Sequence, residues 1–107
     1  MDNLYFGYEH LVAAMEYLLS LRIQDDALFV KPETGLVVIY DEAETVRAIL
    51  ENDHVRMVVH SPYGIAHHKY NRRSTPIQVD QSTGFNAIVW TAIVDHGLPL
   101  NAKPLTS

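Results

Sequence analysis

Apolar residues recur near the start of the chain at three- and four-residue spacing: Tyr8, Leu11, Val12, Met15, Leu18, Leu19 and Ile23. A helix gathers them on one face, so a helix is predicted over 8–23, capped by Asp2 or Asn3 and ended by "QDD" at 24–26. Two β-rich runs follow, 27–31 and 36–40, joined by Pro32-Glu33-Thr34-Gly35. Proline early and glycine late in a four-residue link read as a hairpin turn. "DEAETVRAILEND", 41–53, carries a helix signature, with Asp41 as N-cap, Glu44 three residues on, and Ala43, Val46, Ile49 and Leu50 as a buried stripe. "VRMVVH", 55–60, alternates as a strand with Val55, Met57 and Val59 on one face.

The segment "SPYGIAHHKYNRR", 61–73, breaks the pattern and reads as a loop. A short strand is predicted over 74–80, with Pro76 marking a sheet edge or leaving Ile77 as its true start. The run 85–95 is rich in β-branched residues and fits either a strand or a helix. The stop Asp95-His96-Gly97-Leu98-Pro99 favours a helix, because glycine past the last turn and proline soon after it end helices. Phe85, Ile88, Val89, Trp90, Ile93 and Val94 make that helix apolar nearly all round, as expected for a core helix or one buried against a second subunit.

The predicted order is therefore α-β-β-α-β-β-α. It implies an α+β fold with a mostly antiparallel sheet of about four strands and about three helices. A single domain is expected over 1–97, with an extended or flexible tail over 98–107. The order resembles that of the roadblock/profilin-like dimerising domains. The resemblance implies a sheet backed by helices and a tendency to pair.

Composition narrows the functional classes. The chain has 107 residues, enough to bury a core without disulfide or metal staples, and it has no cysteine. Thiolate metal sites and cysteine nucleophiles are thereby excluded. No apolar run reaches membrane-spanning length and no basic-then-apolar leader opens the chain, so a cytoplasmic location without membrane contact is expected.

The net charge of −5 is unevenly distributed. Residues 1–53 hold eleven acids and three bases, whereas residues 54–79 hold Arg56, Lys69, Arg72 and Arg73 and no acid. An acidic body argues against bulk nucleic-acid binding. A local basic segment suits a small anion, a short single strand stacked on Tyr63 and Tyr70, or an acidic partner protein.

The candidate ligand-binding residues are thus His60, His67, His68, Lys69, Tyr70, Arg72 and Arg73. If 65–73 were helical, Lys69, Arg72 and Arg73 would share a face and could clamp a phosphate or carboxylate. The alternative is a solvated loop whose cations answer the acidic body weakly. The histidines do not read as a metal site. His67 and His68 are adjacent and diverge on regular backbone, and neither H-E-x-x-H nor H-x-H occurs. No metal and no cofactor are expected. Asp80 is the candidate catalytic carboxylate, placed between a strand and "QSTG" before a helix, although helix capping by Asp80 or Ser82 is the favoured reading there. No G-x-S-x-G elbow and no glycine-rich phosphate loop are present. These features predict a non-enzymatic interaction or regulatory module acting as a homodimer. The alternative is a domain that binds or hydrolyses a small anionic ligand through 60–73.

Overall fold

The computed structural model describes residues 5–78 and 84–99. It is an α+β structure. Helix α1 (Tyr8–Leu21) follows a two-residue strand β1 (Tyr5–Phe6). Five strands then run in sequence: β2 (Leu28–Lys31), β3 (Leu36–Tyr40), β4 (Thr45–Leu50), β5 (Val55–Ser61) and β6 (Gly64–Tyr70). They form one antiparallel meander in the order β2-β3-β4-β5-β6. Strand β7 (Ile77–Gln78) pairs with β1, and helix α2 (Gly84–Trp90) continues into a wider π turn over Thr91–Asp95.

Both helices lie on one face of the sheet. Leu11, Ala14, Met15 and Leu18 of α1 and Phe85, Ile88 and Val89 of α2 are buried in one core. They meet the inward residues of the strands, among them Leu28, Val30, Val37, Ile39, Val46, Ala48, Val55, Met57 and Val59. Alternation explains this: on a pleated strand every second residue shares a face, so each strand offers the helices one apolar row. Fully burying a large apolar side chain contributes about 1.5–3 kcal/mol. This layer therefore holds the fold together.

Several expectations hold. Residues 32–34 form a single 3₁₀ turn closed by Gly35, whose φ of +68° suits glycine. A Cβ there would lie 2.8 Å from the Leu50 carbonyl oxygen. Ile77 is the start of its strand. The run from residue 85 is helical, and it ends as its sequence indicates. Gly97 adopts φ +80°, its N–H donates to the Ile93 carbonyl, and the Leu98 N–H donates to the Ala92 carbonyl at 2.8 Å. Leu98, where the tail was expected to begin, still packs on the core. α1 is capped by Gly7 rather than by Asp2 or Asn3, with the Gly7 N–H donating to His10 Nδ1 at 2.9 Å, and residues 100–107 lie outside the described residues.

Other expectations are corrected. There is no helix over 41–53: Thr45–Leu50 is the central strand β4, paired with β3 on one side and β5 on the other. Its apolar residues sit on both faces, Val46 and Ala48 inward and Ile49 outward, and two half-apolar faces imitate a helical stripe. The acids Asp41 and Glu44 close a tight link instead, with the Asp41 N–H donating to the Glu44 carbonyl at 3.0 Å. Nor is 61–73 a loop, because Gly64–Tyr70 is strand β6. Among the described residues there are five main strands rather than four and two α-helices rather than three. Without the middle helix, the roadblock-like order is not met.

Candidate functional site

The covered and uncovered faces of the sheet differ in chemistry. None of the described strands contains an acid. Register aligns the outward residues into rows that cross the sheet. One row runs Phe29, Val38, Arg47, Val58 and His67. The next runs Lys31, Leu36, Ile49, Arg56 and Lys69. A third runs Tyr40, Thr45, His60 and Ile65. The open face is thus an aliphatic floor set with four cations and two histidines. Val38 is buried there, flanked across the strands by Phe29 and Arg47, while Tyr40 and Ile65 are 47% and 60% exposed. Arg56 is answered by the rim carboxylate of Glu51, with Nε and Nη2 at 3.1 and 2.9 Å from Oε1. Among the described residues Lys31, Arg47 and Lys69 have no ion-pair partner.

The two edges of the sheet are unequal. At β2 the preceding segment closes the edge: the Val30 N–H donates to the Ile23 carbonyl at 2.9 Å, and the Asp25 N–H donates to the Leu28 carbonyl at 2.9 Å. The Asp25 carboxylate also accepts the Ala27 and Leu28 N–H groups at 2.8 Å each, and these bonds hold its pKa below the usual aspartate value. At β6 nothing comparable occurs among the described residues. Ser61 and Gly64 flank a two-residue turn and form the closing hydrogen-bonded pair, so Gly64, Ala66, His68 and Tyr70 bond inward to β5. The backbone groups of Ile65, His67 and Lys69 point away from the sheet and have no partner among the described residues. Every residue of β6 except Tyr70 is exposed, and Tyr70 is the one that meets the helical layer, at Phe85 of α2.

The sequence candidates fall on β5, β6 and the chain after β6, and they divide between the two faces of the sheet and the cleft at its end. His67 and Lys69 project from the open face, as does His60 on β5. His68 and Tyr70 project from the helical face, where their rings stack with centroids 5.9 Å apart. Burial raises the pKa of the Tyr70 phenol. Arg72 and Arg73 lie in the turn after β6, so the imagined helical face of Lys69, Arg72 and Arg73 does not exist. Among the described residues no cluster of three or more His, Asp or Glu could hold a metal ion. Asp80 lies outside the described residues. Of the six residues considered for a subunit interface, Phe85, Ile88 and Val89 are buried in the chain's own core. Trp90 and Ile93 are half-buried and only Val94, 54% exposed, presents much surface.

Two clefts lie at opposite ends of the strands. The acidic one, about 550 Å³, is bounded by Asp25, Asp41, Glu44, Asp95 and His96 around Tyr40 and Trp90. Burial, and then the nearby Asp41, raises the pKa of Glu44. The basic one, about 490 Å³, gathers Lys69, Arg72 and Arg73 with Tyr8, Asp53 and His54. There the Asp53 carboxylate sits 2.7 Å from His54 Nδ1. That hydrogen bond is the main cause of its lowered pKa, helped by Lys69. Burial, and then Asp53, raises the pKa of the Tyr8 phenol, while Arg72 opposes the shift.

Sequence reasoning grouped Arg56 with Lys69 by charge but missed Lys31 and Arg47 as their companions, and Tyr8, Asp53 and His54 as companions of the arginines. Period-two reading of 45–50, 55–61 and 64–70 would have aligned the first group. The second is assembled by tertiary contact between α1, the β4–β5 turn and the end of β6. Among the described residues no helix is long and apolar enough to cross a membrane. The chain matches no protein-family model, no curated protein and no solved structure.

Proposed function

We propose that this chain is a non-enzymatic protein-interaction module that forms a homodimer by antiparallel pairing of β6 with its symmetry mate. The bare edge of β6 carries this reading. Sheet edges that expose unpaired backbone groups are templates for strand addition, and proteins usually cover them. Here one edge is covered by residues 23–25, and among the described residues nothing covers the other. A twofold axis at His67 sets Ile65 of one protomer beside Lys69 of its partner, Ala66 beside His68 and Gly64 beside Tyr70, with small residues facing large ones. Ile65, His67 and Lys69 would then form roughly six inter-chain hydrogen bonds. The pairing is isologous and closes. Docking the acidic cleft of one copy on the basic cleft of another would instead run head to tail without closure.

Pairing joins two open faces into one larger surface. Its aliphatic floor and its cations Lys31, Arg47 and Lys69 suit an acidic protein partner, by charge complementarity.

Sedimentation equilibrium from micromolar to millimolar concentration tests the dimer. The wild type should pass from monomer to dimer across that range. His67→Pro and His67→Glu should both remain monomeric. His67 donates no hydrogen bond to β5, so proline there leaves the monomer's ladder intact, and two glutamates would face each other across the axis. A wild type that stays monomeric throughout contradicts the proposal, and so does dimerisation equal in both variants.

A further inference from the structure

The basic cleft has features that strand pairing does not use. Three elements meet there: the start of α1, the β4–β5 turn and the chain leaving β6. Lys69, Arg72 and Arg73 converge on it, and among the described residues none of them has a carboxylate at ion-pair distance. The acid at the rim, Asp53, is held by His54 at 2.7 Å rather than by any of these cations. The chain has thirteen acids and eight Lys or Arg residues, so three cations gathered around a single acid are an exception to its composition. Opposite them Tyr8 and Val12 offer an apolar wall. The volume of about 490 Å³ falls within the range of small-molecule sites, and it exceeds what a bare inorganic ion fills.

We infer that this cleft binds an organic phosphate, with the phosphate on Lys69, Arg72 and Arg73 and the organic part against Tyr8 and Val12. Arginine pairs match the planar geometry of phosphate oxygens through bidentate hydrogen bonds, and lysine adds a point charge.

The test is an NMR titration of the full chain with adenosine monophosphate, inorganic phosphate and adenosine. The expected result is that adenosine monophosphate shifts the amides of residues 52–54 and 69–73, with phosphate weaker and adenosine without effect. Arg72→Gln with Arg73→Gln should weaken binding roughly tenfold or more, since charge-assisted hydrogen bonds are lost. Arg47→Gln, on the open sheet face, should leave binding unchanged. Three results would overturn the inference: no shift at millimolar nucleotide, equal affinity in the double variant, or loss of binding in Arg47→Gln. Neither arginine lies on the β6 edge, so this outcome is independent of dimerisation.

Discussion

Tyr70 stands edge-on to Phe85, with ring centroids 5.0 Å apart and ring planes at 72°. Tyr70 is the one residue of β6 that is not exposed, so this contact is where the helical layer ends and the bare strand begins. On the same face His68 stacks on Tyr70 at 5.9 Å. The aromatic series Phe85, Tyr70, His68 therefore anchors one end of β6 to the core and leaves the rest to the β5 ladder.

Phe85→Ala should cost about 3–5 kcal/mol, the range for truncating a buried phenylalanine. Phe85 is only 2% exposed and contacts both the core and Tyr70. Urea denaturation reads the loss, and amide exchange should quicken in 68–70 ahead of β3 and β4. A loss below about 1 kcal/mol would show that the α2 packing described here is wrong.

Gly84→Ala should destabilise the fold even though alanine favours helix by about 1 kcal/mol. A Cβ at Gly84 would stand 2.6 Å from both Met57 Sδ and Val59 Cγ2. The methionine can swing aside, but the β-branched valine is stiff, and overpacking of this kind costs about 1–3 kcal/mol. Thermal melting of the variant should therefore fall below the wild type. A rise in melting temperature would mean that α2 rides higher above β5.

Asp25→Ala should lower stability at neutral pH and matter less in acid. The Ala27 and Leu28 N–H groups favour the ionised carboxylate, so the folded pKa lies below the unfolded one. A depressed carboxylate stabilises the fold fully above its unfolded pKa, and that contribution disappears as pH falls through the folded value. Melting curves of the two proteins should converge as pH drops below the usual aspartate range. A difference that stays constant with pH would remove the hydrogen-bonded carboxylate from the account.

Much of the fold was legible in local pattern. The α1 face, the Pro32–Gly35 turn, the Val55-Met57-Val59 row and the Gly97 stop each depend on neighbours in sequence, and each appears as read. What failed was tertiary. β4 follows a capping-box motif and carries a helix-like stripe, yet two flanking strands supply it with ladder bonds on both sides, and those outweigh propensity. β6 looked like a loop because polar residues fill both its faces, which is what a strand beyond its helical cover looks like. The candidate site was half legible for the same reason. Lys69, Arg72 and Arg73 were visible as charge, but the open face depends on strand register and the cleft on packing. Neither can be seen along the chain.

Pairing through β6 rests on Ile65, His67 and Lys69, whose outward backbone groups have no partner among the described residues. Amide hydrogen exchange of Ile65, His67 and Lys69, measured in dilute and in concentrated protein, tests it most directly. Pairing predicts protection that rises with concentration at these three amides, while Ala66 and His68, already bonded to β5, change far less. Fast exchange at all three in concentrated protein would contradict it.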